Sequence, residues 1–456
     1  MTYQSLGDLV DAVAPAAAVR ADRVDVTNLG ALTGELVDRL VWTSVFGSGA
    51  ELRAVARSAL RSAATAAGIT PASHHDLYMA IGRGEAGGFT VPAFNVRALA
   101  YDTARAIVRA ARELNAGAVI FEISRSEMAY TDQRPDEYAV AVIGAALREG
   151  YRGPLFIQGD HVQIAAKAYH GDGREPELEA VRALVEEEIA AGFYNIDIDA
   201  STLVDLDRAT LAEQQRLNTS VGAELTAFIR RREPKGMTIS VGGEIGEVGG
   251  RNSTVDELRA FMTGFSAALE SHGRYAGISK ISVQTGTIHG GFVNADGSVR
   301  RNVNIDVQAL TELSRAARTE FGLAGAVQHG ASTLPLDAFD VFPRAGACEI
   351  HLATEFLNIV YDHPLFPREL KAEMYEWVRK HAGQDRSGDD TDEQFIYKNR
   401  KKAIGAFKRE LWSLSAHVRE ALGAALEDRV KVLMRRLKVD DTAGAVAKFV
   451  RPRSSS

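Results

Sequence analysis

From Phe89 onward, short runs of β-branched and aromatic residues alternate with longer stretches in which apolar positions recur every three to four residues. The short runs predict strands at Thr90–Asn95, Ala118–Ile123, Leu155–Gln158, Asn195–Asp199, Thr238–Val241, Ile281–Val283, Ala324–Gln328 and Ala347–Ile350. The spacing between most of them predicts amphipathic helices at Ala98–Leu114, Glu137–Glu149, Glu177–Ala191, Leu203–Arg231, Val255–Ser271 and Val307–Phe321. Strands alternating with helices imply a parallel sheet with right-handed crossovers. Eight such units in about 270 residues have the count and size of an α/β (β/α)8 TIM barrel. A doubly wound open sheet is the alternative, but no Gly-x-Gly-x-x-Gly follows the first strand, which counts against a dinucleotide-binding version.

The flanks read differently. Residues 1–75 are expected as a helical N-terminal extension, residues 76–362 as the barrel, and residues 363–456 as a C-terminal helical extension with a disordered tail. Glu51 to Ala67 has helical spacing. Ser73-His-His-Asp76 resembles a capping box, which places His74 and His75 at an exposed helix start. Gln394 to Leu437 reads as one or two long helices, and its basic stretch Lys398–Arg409 as a solvated face or subunit contact rather than a polyanion site.

Composition excludes several classes. A net charge of −7 gives no basic surface for nucleic acid. The single cysteine, Cys348, permits no intramolecular disulfide and fits a reducing compartment. The start lacks a basic region followed by an apolar core, and no apolar run approaches the ~18 residues of a membrane span. The expectation is a cytoplasmic protein without membrane or nucleic-acid partners.

Candidate chemistry gathers at the strand ends. Leu155–Gln158 runs into Gly159-Asp160-His161, Ile281–Val283 into a Gly-rich loop carrying His289, and Ala324–Gln328 into His329-Gly330. Carboxyl ends of parallel strands are where barrels bind ligands, and three imidazoles with an open position describe a catalytic metal site. This ligand set favours Zn²⁺, with Fe²⁺, Mn²⁺ or Co²⁺ as alternatives. Glu244, in Gly242-Gly243-Glu244, adds a carboxylate to the same rim. His351 also ends a strand; a fourth imidazole would overfill a catalytic site, so it is read as supporting or facing substrate. Asp160 and His161 are neighbours on a strand, so their side chains are expected to diverge. Asp160 then serves as an acid–base across the cavity, or as the carboxylate orienting a ligand histidine. Gly290, Gly291 and Gly330 let backbone N–H groups approach an anion, and Ser332 and Thr354 add hydroxyls.

In their order along the chain, Val91-Pro-Ala-Phe-Asn-Val96, Gly159-Asp-His161, Asn195-Ile-Asp-Ile-Asp-Ala-Ser201, Gly243-Glu-Ile-Gly246, Gly286-Thr-Ile-His-Gly290 and His329-Gly-Ala-Ser332 resemble the class II, metal-dependent ketose-bisphosphate aldolases. The resemblance runs from about Asp76 to Tyr361, with loosely similar helices after it. It implies a zinc-dependent barrel that cleaves a ketose (bis)phosphate, in a reversible retro-aldol reaction, to dihydroxyacetone phosphate and an aldehyde through a metal-stabilised enediolate. It implies His161, Glu244, His289 and His329 as metal ligands and Asp160 as the acid–base serving the aldehyde carbonyl. Asn95, Ser124, Asp199, Gly290, Gly330, Ser332, His351 and Thr354 are then the substrate-binding candidates. A role in carbohydrate metabolism such as glycolysis, and a homo-oligomer, dimer or tetramer, are further family-based expectations.

The chain departs from the family at defined places. The usual lysine, four residues after the histidine of the His-Gly motif, is Val293. The usual Asn-Val-Asp-Thr is His351-Leu-Ala-Thr354, and Arg251-Asn252 replaces the loop acids. These losses leave Arg251, Arg300 or Arg301 to bind a donor phosphate and Asp256 or Glu257 to serve as C–H base. Two other readings accompany the aldolase: a non-catalytic aldolase-like subunit, and another metal-assisted barrel enzyme acting on a non-phosphorylated sugar.

Overall fold

The structure is a computed structural model and describes residues 2–20, 23–171, 173–246, 251–287, 292–300 and 305–450. Eight strands form its centre: β1 (Val91–Asn95), β2 (Ile120–Ser124), β3 (Gly153–Gln163), β4 (Asn195–Asp199), β5 (Ser240–Glu244), β6 (Lys280–Val283), β7 (Ala326–Gln328) and β8 (Glu349–Leu352). Each pairs in parallel with the next, and β8 pairs with β1, so the sheet closes into a (β/α)8 barrel. Closure removes the sheet edges. All five residues of β1, β2, β4 and β5 are buried, as expected of strands covered by helices outside and side chains inside.

Several strands lie further toward the C-terminus than the hydrophobic pattern predicts. The segment expected at Thr238–Val241 is Ser240–Glu244, and that at Ala347–Ile350 is Glu349–Leu352. Glu244 and His351, expected at strand ends just past Val241 and Ile350, belong to the strands and line the cavity. The helix expected from Leu203 begins at Leu211, capped by Thr210 and Glu213, with a short 3-10 turn at Ser201–Leu203 before it. Gln394–Leu437 is not one or two long helices. It breaks into Asp392–Asn399, a 3-10 turn at Arg400–Ala403, Lys408–Trp412 and Ala416–Arg436.

The barrel interior is polar rather than filled with branched aliphatics. Lys280 Nζ lies 2.5 Å from Glu349 Oε1, 2.9 Å from Asp197 Oδ2 and 2.8 Å from Gln158 Oε1. The Gln158 amide donates to Glu122 Oε2 and Glu349 Oε1, both at 3.0 Å. Gly242 makes room for this cluster: a Cβ there would sit 2.3 Å from Asp197 Oδ1 and 2.9 Å from Lys280 Cε. Below the cluster, His74 closes the barrel floor. Its Nε2 is 3.3 Å from Gln158 Oε1, and its ring stacks on Tyr78 at 4.0 Å. The expected exposed capping box is therefore wrong: His74 is 1% exposed and His75 is 9% exposed. The helix His75–Gly82 has no side-chain cap, because Ser73 Oγ accepts from the neighbouring His75 N–H instead.

The extensions pack on the same side of the molecule. Helices Gly34–Phe46 and Ala50–Ala66 lie against Pro135–Arg148, where Arg57 and Arg61 pair with Asp136. Helix Ala416–Arg436 covers Ala100–Glu113. Trp42 and Phe46 from the N-terminal side meet Trp412 from the C-terminal side edge-on, at 5.7 and 5.4 Å. No helix among the described residues is long and apolar enough to cross a membrane.

Candidate active site at the barrel mouth

At the carboxyl ends of the strands a cavity of ≈ 300 Å³ is lined by Asn95, Ser124, Asp160, His161, Asp199, Glu244, His329, Gly330, Ser332, His351 and Thr354, all expected from sequence. It also takes in Ser201 and Ala353, both within the family motifs read from sequence, and Arg97, Glu122, Ser126, Glu127, Gln163 and Lys401, which the sequence did not single out. His289 and Gly290 lie outside the described residues.

Asp160 and His161 do not diverge. Gly159 pairs with Ile196 and Val162 with Ile198, so the two residues 160 and 161 stand opposite Asp197 alone, a β-bulge. His161 takes a left-handed φ of 40°, a conformation that costs a β-carbon residue roughly 1–3 kcal/mol. The bulge cancels the strand's alternation and turns both side chains into the cavity, where His161 Nε2 is 3.8 Å from Asp160 Oδ1. The bulge follows Gly159, whose missing side chain admits the buried Glu188 carboxyl: a Cβ there would be 2.6 Å from Glu188 Oε1.

His161, Glu244 and His329 offer ligand atoms within 4.8 Å of one another. His161 Nδ1 lies 3.1 Å from Glu244 Oε2, and the His161 and His329 rings are 4.2 Å apart. Glu244 Oε1 is buried with no hydrogen-bond partner among the described residues. A buried acceptor left open beside two imidazoles fits a divalent cation. Burial, with the Asp199 and Asp160 charges, pushes the Glu244 carboxyl up to about 7, against the pull of His161. Burial and the neighbouring His351 and His161 push His329 well below the usual imidazole range. At His161 burial acts downward too, but Asp160 and Glu244 outweigh it and raise the imidazole. The two imidazoles are thus driven in opposite directions, His161 toward its charged form and His329 toward the neutral form that ligates a cation.

Asp199, expected from sequence as a substrate-binding residue, lines the cavity with its oxygens bonded to neighbouring side chains. His161 Nδ1 is 3.0 Å from Oδ2, which also accepts from Gln163 at 2.6 Å, and Ser201 donates to Oδ1 at 2.6 Å. Its carboxyl, though buried, is lowered to about 2 by these contacts, His161 foremost. A carboxylate on an imidazole nitrogen is the kind of contact that fixes the ring of a metal-ligating histidine.

Asp160 is fixed from the other side. His351 Nδ1 is 3.1 Å from Asp160 Oδ1 and 3.0 Å from Glu122 Oε2, while its Nε2 is 2.7 Å from Glu349 Oε1. Burial would raise the Asp160 carboxyl, but His161 and His351 hold it well below its ordinary value. Burial and the Asp160 charge push Glu122 up to about 7. Glu122 and Glu349 could have been found from Phe-Glu-Ile-Ser and Glu-Ile-His-Leu, where polar residues alternate strictly with apolar ones inside strands.

Arg251, Asp256 and Glu257, expected as substitutes, do not line the cavity. Glu257 closes a capping box with Thr254 and pairs with Arg251 at 2.5 Å. Asp256 is exposed and pairs with Arg259. Arg301 lies outside the described residues.

Fold and site together define a (β/α)8 barrel with buried His, Asp and Glu groups able to hold a metal at the carboxyl ends of its strands. Residues 77–426 match the model of the class II fructose-bisphosphate aldolases, and the chain belongs to that family, whose members are metal-dependent and act on small sugar phosphates. No curated protein matches by sequence. Among solved structures, a probable tagatose 6-phosphate kinase from Sinorhizobium meliloti is 16% identical over 78% of this chain and 100% of its own, with a TM-score of 0.55. The fructuronate-tagaturonate epimerase UxaE from Cohnella laeviribosi is 14% identical over 77% of this chain and 82% of its own, at 0.50. A putative fructose-1,6-bisphosphate aldolase from Coccidioides immitis is 17% identical over 80% and 96%, at 0.45.

Proposed function

We propose that the protein is a metal-dependent aldolase that cleaves a ketose (bis)phosphate to dihydroxyacetone phosphate and an aldehyde, and runs the condensation in reverse. One observation carries this reading: Asp160 shares a buried cavity with His161, Glu244 and His329 inside a barrel of the aldolase family. His161, Glu244 and His329 would hold the cation, with His289 as the further candidate; Zn²⁺ suits the donors best. A bound divalent cation supplies Lewis acidity for the negative charge left on the donor fragment when the carbon–carbon bond breaks, worth several kcal/mol.

The remaining work falls to the chain's own groups. Asp160, held anionic by His161 and His351, takes the proton of the hydroxyl that becomes the aldehyde and returns it in the condensation. His351, fixed between Glu349 and Asp160, keeps that carboxylate aimed. Ser332 Oγ, which accepts from the Thr354 N–H at 3.2 Å, and the Gly330 backbone line the cavity as polar substrate contacts.

Deuterium exchange at the hydroxymethyl carbon of dihydroxyacetone phosphate tests the reading without knowledge of the aldehyde. Chelator-sensitive exchange is expected, and Asp160→Asn should keep both metal and exchange while losing cleavage. No exchange by the zinc-loaded protein would overturn it in favour of a second reading, metal-assisted chemistry on a non-phosphorylated sugar. That reading draws on Val293 and Ala353, which stand where the family carries lysine and aspartate.

A further inference from the structure

The residue closing the cavity on one side comes from the C-terminal extension. Lys401, in the 3-10 turn Arg400–Ala403, lines the barrel mouth with Arg97, which follows β1. Arg97 is anchored: Nη2 is 2.5 Å from Glu127 Oε1, and Nε donates to Asn95 Oδ1 at 2.9 Å. Asn95 in turn donates to Glu127 Oε2 at 2.5 Å. Lys401 has no such anchor. Among the described residues it has no hydrogen-bond or ion-pair partner, and its ammonium lies 5.9 Å from the Tyr130 ring centre. Burial and the Arg97 charge beside it lower Lys401 to about 8.

Glu127 is thus bonded to Arg97 and Asn95 and not to Lys401, while Glu122, Asp160, Asp199 and Glu244 line the rest of the cavity. A half-buried ammonium without an ion-pair partner of its own is costly unless a ligand brings one. Ser124 and Ser126, whose hydroxyl oxygens are 3.2 Å apart, add neutral donors to the same lining. We propose that Lys401 and Arg97 form the seat for an oxyanion terminus of the substrate, a phosphate or a carboxylate, so that the C-terminal extension completes the active site. The proposal deepens the aldolase reading and rests on it for the identity of the cavity, but the binding it describes needs no catalysis.

Calorimetric titration of the metal-free protein with glycerol 3-phosphate, glycerate and glycerol tests it. At least one anion is expected to bind about tenfold or more tighter than glycerol, as befits a charge-assisted hydrogen bond. Lys401→Met should erase that preference and Lys401→Arg should retain most of it; Lys401→Gln serves as the second neutral variant if the methionine protein melts early. The tighter anion tells phosphate from carboxylate. Anions binding no better than glycerol, or equally well to wild type and to the neutral variants, would overturn the proposal. Exchange of dihydroxyacetone phosphate, measured alongside, reports on the aldolase reading alone: exchange without anion preference sinks only the oxyanion seat, and anion preference without exchange sinks only the aldolase.

Discussion

His161 shows how a single backbone torsion decides chemistry. Strand alternation sends neighbouring side chains to opposite faces, and on that rule Asp160 and His161 part company. The left-handed φ at His161 and the extra residue in β3 bring them to one cavity instead. No local pattern announces such a bulge, because it is held by the register of β4 across from it. The same strand supplies Asp199, whose carboxylate fixes the His161 ring. Asp199→Asn is expected to leave the fold intact and weaken metal binding about 10–100-fold, the usual cost of removing a carboxylate behind a ligating imidazole. Competition with a metal-binding dye measures this; unchanged affinity would place Asp199 with the substrate contacts after all.

At the scale of elements, β2, β4, β6 and β8 give the barrel a charged interior through residues two apart: Glu122, Asp197 with Asp199, Lys280, and Glu349 with His351. Lys280 is fully buried, and although burial opposes its charge, Asp197 and Glu349 hold its ammonium above the usual lysine range. Such a cluster is weak evidence of net stability, but removing one partner strands the rest. Lys280→Met should therefore destabilise the protein by about 3–5 kcal/mol, read as a lower urea midpoint with an unchanged slope. A loss under about 1 kcal/mol would mean that Glu349 and Asp197 take up protons at little cost. The strands themselves were legible from β-branched runs. Glu122, Asp197 and Glu349 lie within the expected strands, but that they face inward and that Lys280 answers two of them was settled only when the barrel closed.

For the whole molecule, the segment before the barrel is part of its core. His74 plugs the floor beneath Gln158 and is lowered to about 3, mainly by burial and then by Lys280. Its folded value lies below the ordinary 6.5, so between the two the unfolded chain binds the proton and the folded one does not. Stability is thus expected to fall as pH drops from about 6.5 toward 3, by several kcal/mol over the window. His74→Gln should flatten that part of the profile in urea titrations run at successive pH values; an unchanged slope would show that other groups carry it. The basic stretch Lys398–Arg409, expected as a solvated face or subunit contact, turns several of its charges inward instead. Arg400 is 5% exposed and pairs with Asp362, Lys408 pairs with Glu137, and Lys401 reaches the cavity.

Periodicity alone carried the barrel, because a strand–helix alternation repeated eight times has few ways to bury its apolar faces. It also placed Asp160, His161, Glu244, His329 and His351 at strand ends, where closure of the sheet makes positions distant in sequence neighbours. The direction of each side chain, and which charge answers which, depended on contacts separated by tens to hundreds of residues: Asp160 with His351, Lys280 with Glu349, Lys401 with Arg97. Pairings of that span are set by the register of eight strands and the fold-back of a terminal segment, and no local stretch of sequence encodes them.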